Sequence, residues 1–244
     1  MKLTFVGTGA AQTERRLSSY VIDDQILFDI GYGTVNVLKE YGLVDKIRTI
    51  IISHFHNDHV GDLALFLYRR SEMKDKLPLT IIGPKGLWRF LEELYKLVTF
   101  EDDVLYDGKM RYFALDTIKI VELDNNEAYK DEYLSVKAFN AWHGHSKYAK
   151  GYVLETGGKK FGCTGDTALC DALVENLPLA DAWIVDCAHV VAKDERRHLG
   201  LDQIKVFAST YPEKNFFCVH RKEWEPPTDL KNVFFPMDGE IVEV

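Results

Sequence analysis

Short apolar runs at KLTFVG, SSYVID and QILFDIG are separated by Gly, Thr and Asp, the rhythm of strands opening a sheet. The segment after Gly33 has a helical pattern, and Arg48 to Ser53 is a β-branched run that predicts a buried strand. Val60, Leu63, Ala64 and Leu67 then recur at helical spacing. A strand at Pro78 to Ile82 leads to a second such stripe, Leu87, Phe90, Leu91, Leu94, Leu97 and Val98. Further strands are predicted at Thr117 to Leu123, Leu134 to Ala141, Gly151 to Thr156 and Lys159 to Gly165, the last two joined through Gly157-Gly158 as a hairpin. Ala182 to Cys187 and Asn215 to Val219 read as buried strands, with Ile204, Phe207, Ala208 and Tyr211 on a helix between them. Strands dominate each half and helices are interspersed. That pattern predicts an α+β fold, a four-layer αβ/βα sandwich in which two mixed sheets pack face to face and helices cover them. No repeat or linker interrupts it, so residues 1–244 are expected to form one domain.

Charge narrows the partners. A formal net charge of −8 disfavours general binding to nucleic acid or to an acidic membrane, both of which need a positive field. Cys163, Cys170, Cys187 and Cys218 are scattered without a CxxC spacing, which predicts reduced thiols rather than disulfides or a structural zinc site. The opening MKLTFVGTGAAQTERR lacks the apolar run of a signal peptide, and no later stretch approaches the ~20 apolar residues of a membrane span. The expected location is cytoplasmic.

The chemistry lies in SHFHNDHVGDL, where His54, His56, Asp58 and His59 fall within six positions. Imidazoles and carboxylates so crowded are costly to bury unless paired or metal-bound. One loop cannot complete two coordination spheres, and further ligands are available downstream: His145 before the hairpin, Asp166 in CTGDT, and His220 at the end of NFFCVH. The order HxHxDH, His, Asp in a GDT turn and strand-terminal His resembles the metallo-β-lactamase superfamily over nearly the whole chain. That resemblance implies that His54, His56 and His145 bind one metal, that Asp58, His59 and His220 bind another, and that Asp166 bridges them. The opening GTGA turn and FDIGYGT are also similar to the family and put Asp29 behind the site as an orienting residue. His143 competes with His145, lying two residues away on the same face of an extended strand. His145 is preferred because His145 to Gly151 has the family's spacing. The cofactors implied are two divalent ions, zinc or manganese, with iron also compatible with the ligand set.

Two close ions would generate a bridging hydroxide at neutral pH, which makes hydrolysis the natural reaction class. Asp58 then serves catalysis by positioning that hydroxide. His198, between Asp166 and His220, stands where phosphodiesterase branches carry an extra histidine that can protonate the leaving oxygen. Among those branches the chain resembles both tRNase Z and the cyclic phosphodiesterase of phosphonate breakdown. Asp186-Cys187-Ala188-His189 replaces the HEAT run of tRNase Z, and neither a basic Gly/Pro-rich arm nor the clustered cysteines of the phosphonate enzyme are present. The expected function is a phosphodiesterase acting on a small cyclic phosphate or nucleotide. Alternatives are a carboxyl-ester, lactone or thioester hydrolase, a tRNase Z-like RNA-processing nuclease, or a metal-binding accessory protein without turnover. A homodimer is implied by the family alone.

Overall fold

The computed structural model of the protein describes residues 1–74, 76–99, 117–193, 196–222 and 229–244. The first sheet contains β1 (Lys2–Gly7), β2 (Ser19–Ile22), β3 (Ile26–Phe28), β4 (Thr49–Ile51), β5 (Leu79–Pro84) and β6 (Ile118–Leu123). The second contains β7 (Ala128–Lys130), β8 (Ser135–Asn140), β9 (Lys150–Thr156), β10 (Lys159–Cys163), β11 (Ala182–Asp186), β12 (Asn215–Val219) and β13 (Val233–Phe234). A last strand, β14 (Ile241–Glu243), returns to pair with β1, so the first sheet runs β14-β1-β2-β3-β4-β5-β6 and the second β13-β12-β11-β10-β9-β8-β7. Both sheets are mixed. In the first, β1 to β3 are antiparallel and β3 to β6 parallel. In the second, β7 to β10 are antiparallel and β10 to β13 parallel.

Alternation along the strands builds the layers. Leu3 and Phe5 of β1, Phe28 of β3 and Ile51 of β4 point between the sheets, where they meet Val136, Tyr152, Phe161, Ile184 and Phe217 from the other side. Ile50 and Ile52 point the opposite way, against α3 (Leu63–Ser71) and α4 (Leu87–Thr99) through Leu63, Phe66, Leu67, Leu87 and Leu91. On the second sheet, Phe139, Trp183, Val185 and Phe216 face outward to meet α5 (Asp171–Asn176) and α6 (Leu201–Thr210) through Leu173, Ile204 and Phe207. Three apolar layers therefore separate four structural ones, the expected αβ/βα sandwich. At roughly 1.5–3 kcal/mol for each fully buried large aliphatic or aromatic side chain, these layers are the main source of stability.

At the hairpin, Thr156 pairs with Lys159 and both intervening residues have positive φ, 56° at Gly157 and 77° at Gly158. That is the two-residue turn that demands glycine. The stripe from Val60 to Leu67 forms two helices, not one. A single turn, α2 (Asn57–Val60), ends at Gly61, and Asp62 turns back to accept the Val35 N–H at 2.9 Å at the start of α1 (Thr34–Glu40). This bond ties the histidine loop to the FDIGYGT segment. The edge strands β7, β13 and β14 and the helix α5 had no sequence expectation, being too short to show a period. Among the described residues, no helix is long and apolar enough to cross a membrane.

Candidate metal centre

Because β8 is antiparallel to β9, and β9 to β10, the strands β8, β10, β11 and β12 all run in one direction. Their C-terminal ends share one edge of the sheet. From that edge His143 follows β8, Asp166 follows β10, Asp186 closes β11 and His220 follows β12, while His54 to His59 follow β4 of the facing sheet. Ligands on strand ends are held by the sheet rather than by loop packing.

The side chains converge in three groups: His54 with His56 and His143; Asp58 with His59, Asp166 and His220; and, sharing two members with the second, Asp166 with Asp186, His198 and His220. His54 Nε2 lies 2.8 Å from His56 Nδ1, which is 3.2 Å from His143 Nε2. Asp166 Oδ2 sits between the groups, 3.3 Å from the Nε2 of both His59 and His220, 3.8 Å from that of His143 and 4.0 Å from that of His54. Asp58 Oδ2 is 3.4 Å from His220 Nε2 and 3.7 Å from His59 Nε2.

The tautomers follow from the far side of each ring. The single Ser53 hydroxyl proton goes to Asp29 Oδ2 at 2.7 Å, so Ser53 Oγ accepts from His54 Nδ1–H at 3.0 Å. His59 Nδ1–H donates to Asp29 Oδ2 at 2.7 Å, and His143 Nδ1–H donates to the Arg197 carbonyl at 2.9 Å. A carbonyl can only accept, which settles His143. In its neutral form each of these rings therefore aims an Nε2 lone pair at its neighbours' lone pairs and at carboxylate oxygens. His59 Nε2 is left buried without a hydrogen-bond partner. A buried, unsatisfied nitrogen among converging acceptors fits a cation: a divalent ion or, without one, a proton.

The charges agree. Burial works against ionised Asp166, but His220, His59 and His54 together hold it well below the usual carboxylate range. Burial likewise works against a charged His59, yet Asp166 and Asp29 raise its imidazole well above its ordinary value. Burial, with the His59 charge beside it, drives His54 far down, and burial takes His143 to about 4. For Asp58, burial is outweighed by the bond to His220 and the charge of His59, which lower it to about 2. Without a metal, Asp166 and Asp29 thus favour a charged His59, the place a bound cation would take over, while burial favours neutral His54 and His143.

His145 does not join the group. It is exposed at the rim of the cleft, and His143 stands beside His54 and His56 in its place. The strand had already ended at Asn140, and Gly144 with φ of 56° turns the chain so that His143 faces in and its neighbour out. Asp29 sits where an orienting residue was expected, at a left-handed φ of 52°, and Ser19 Oγ donates to its carbonyl at 2.8 Å. Lys150 is buried on β9 and donates to Asp124 Oδ1 at 3.1 Å and to Asn140 Oδ1.

The residue that sequence reasoning undervalued is Asp186. Its Oδ2 accepts His198 Nδ1–H at 2.9 Å and the Thr167 N–H at 3.0 Å, while Thr164 Oγ1 receives the Asp186 N–H at 2.9 Å. Burial and the adjacent Asp166 carboxylate push Asp186 well above its ordinary value, so it needs positive charge nearby to stay ionised. An acid closing the apolar strand AWIVD was the available signal. Gly165, with φ of 56°, lets this turn press on the histidine loop, since a Cβ there would lie 2.6 Å from Ser53 Cβ and 3.0 Å from the Lys150 carbonyl. Gly165→Ala is expected to destabilise the fold by about 2–3 kcal/mol, read as a lower urea midpoint with unchanged slope.

The site opens into a cleft of about 450 Å³ whose walls include Gln12, His56, Asp58, Asp166, His198 and Lys222. A larger hollow of about 570 Å³ lies at the other end of β3, β4 and β5, around Arg48 and Tyr133, away from the donor groups.

A family model described as "Anti-Pycsar protein Apyc1" matches residues 1–235. The ribonuclease Z of Staphylococcus carnosus (strain TM300) is 30% identical over 165 residues, covering 64% of this chain and 49% of that protein. The chain thus spans about half the length of the curated relatives it matches first. In three dimensions it is similar to the metallo-β-lactamase fold protein YhfI of Bacillus subtilis, with a TM-score of 0.76 at 16% identity over 99% of both chains. It is also similar to the short form of human tRNase Z (ELAC1), with a TM-score of 0.73 at 23% identity over 100% of this chain and 99% of that one. These likenesses establish the metallo-β-lactamase fold.

Proposed function

The chain belongs to the anti-Pycsar Apyc1 family, and from that premise we propose that it is a metal-dependent phosphodiesterase acting on a small cyclic phosphate or nucleotide. The observation that carries the proposal is the pairing of a two-part donor site with a hydrogen-bonded His198–Asp186 dyad on one cleft. His54, His56 and His143 would hold one divalent ion, Asp58, His59 and His220 a second, and Asp166 would bridge them, with zinc, manganese and iron all suited to the donors. When bound, such ions supply Lewis acidity that lowers the pKa of water and offsets phosphoryl charge. Asp58 and Asp166 orient the attacking water. Asp186 fixes the His198 tautomer so that Nε2 faces the cleft, where it can hold the proton that the leaving oxygen needs. The cleft volume suits a ligand of mononucleotide size.

The test is a substrate panel run on zinc- and manganese-loaded protein: bis(p-nitrophenyl) phosphate, cyclic mononucleotides, a thioester and a lactone. Turnover of the first two is expected. Turnover confined to the thioester and lactone would overturn the proposal.

A second reading, an RNA-processing nuclease, is favoured by the name ribonuclease Z carried by the similar sequences. Against it stands the net charge of −8, since a polyanion is gripped by a positive surface. Cleavage of a tRNA precursor at lower concentration than any cyclic nucleotide would favour it.

A further inference from the structure

His220 leaves β12 with a left-handed φ of 56°, and the turn sends the next two side chains apart. Arg221 goes inward, fully buried, with its guanidinium on Thr8 Oγ1 at 3.0 Å and on the Pro236 carbonyl. Lys222 comes back to the cleft. Its N–H donates to the Ala188 carbonyl at 3.2 Å, its side chain is half-buried, and its Nζ lies 3.4 Å from His198 Nε2. Since His198 Nδ1–H is committed to Asp186, the Nε2 of the neutral ring accepts from Lys222, and when that Nε2 holds the proton for the leaving oxygen the Lys222 N–H groups must turn to another acceptor. An ammonium carries three N–H groups. One meets His198, and among the described residues no carboxylate forms an ion pair with the others.

A cation so placed is costly unless something uses it. The Lys222 charge acts on Asp186 behind His198 without an ion pair between them, and the other carboxylates of the site lie in the donor groups. What it would meet is a negative oxygen next to His198, on the side of the ligand away from the clustered donors. A phosphodiester has such an atom, because one non-bridging oxygen remains charged wherever the other is bound. A neutral carboxyl ester or lactone has none.

We propose, resting on the phosphodiesterase reading above, that Lys222 sets the specificity of the cleft for anionic phosphodiesters by donating to a non-bridging phosphoryl oxygen beside His198. The oxygen carries its charge in the ground state and in the transition state alike, so the effect falls mainly on KM. Lysine meets it as a flexible point charge, and arginine can replace that charge without matching its reach.

The experiment compares Lys222→Met and Lys222→Arg with the wild type, all metal-loaded, with metal content and Tm confirming intact folding. Lys222→Met is expected to lose roughly 10- to 100-fold in kcat/KM on bis(p-nitrophenyl) phosphate, mostly through KM. Turnover of a p-nitrophenyl carboxyl ester should change by less than about threefold, and Lys222→Arg should recover a substantial part of the loss. Calorimetric titration with inorganic phosphate, which needs no turnover, should show roughly tenfold weaker binding to Lys222→Met. Unchanged phosphate affinity, or an equal fall on both substrate classes, would overturn the proposal. If the wild type turns over no phosphodiester, the phosphodiesterase reading has failed, and the phosphate titration still decides whether Lys222 recognises the anion.

Discussion

Asp166→Ala is expected to reduce bound metal from the proposed two ions per chain to one or none and to lower the proposed phosphodiester turnover by at least roughly 10³-fold, beyond the loss typical of a single oxyanion donor. The expectation rests on position. Asp166 Oδ2 lies 3.3–4.0 Å from the Nε2 atoms of four histidines drawn from both donor groups. Ligand atoms about 2.1 Å from a tetrahedral ion would stand ~3.4 Å from one another, so the spacing of this oxygen from all four rings suits a ligand shared by both donor groups. No water can replace it with equal charge. Metal analysis of purified variants checks the claim, and two tightly held ions in Asp166→Ala would refute it. Asp166→Asn separates shape from charge, because it keeps the volume and loses the anion that the four imidazoles surround. Companion variants test the assignment at β8: His143→Ala should hold about one ion, and His145→Ala should keep both, because His145 stands at the rim while His143 is fixed through the Arg197 carbonyl.

Much of this site was legible because metal chemistry forces rare residues into close sequence. His54, His56, Asp58 and His59 share one loop, and Asp166 and His220 end apolar strands whose buried character is plain from composition. The sandwich was legible for the same reason: a strand buried on both faces, such as Arg48 to Ser53, reads as a continuous apolar run. What misled was the family's spacing from His145 to Gly151, and strand parity could not choose between the two histidines. His143 and His145 share a face only if the strand continues, and β8 stops at Asn140, with Gly144 at φ of 56° reversing the chain. Turn geometry of that kind has weak sequence signals when the flanking residues are polar for another reason. The His198–Asp186 dyad joins residues twelve apart across the end of β11 and the loop into α6, and no periodicity links them. Lys222 was unread because a lysine after a strand is ordinarily solvated. Only the left-handed backbone of His220 turns it into the cleft. The short strands β7, β13 and β14 escaped because two or three residues cannot display alternation, although they cover the edges of both sheets.

His198→Ala is expected to lower kcat roughly 10²- to 10⁴-fold on substrates that depart as alkoxides, such as cyclic nucleotides, while costing much less on bis(p-nitrophenyl) phosphate. A p-nitrophenolate leaves without help, whereas a ribose oxygen must receive a proton as its bond to phosphorus breaks. The difference between the two substrates isolates proton donation from any change in binding or metal content. If His198 only stabilised phosphoryl charge, both substrates would suffer alike. Asp186→Asn refines the test. The amide can offer its NH₂ to His198 Nδ1 and reverse the tautomer, which would place a proton on Nε2 without the anion that raises its affinity for that proton. Its loss should therefore follow the same leaving-group dependence as His198→Ala, because Asp186 acts on the reaction through that ring. Asp186 Oδ1 also lies 3.8 Å from His220 Nδ1, so metal content must be measured alongside. Full metal content with a loss restricted to poor leaving groups identifies the dyad as the proton-delivering half of the site. A uniform loss accompanied by metal release would instead make Asp186 a support for His220.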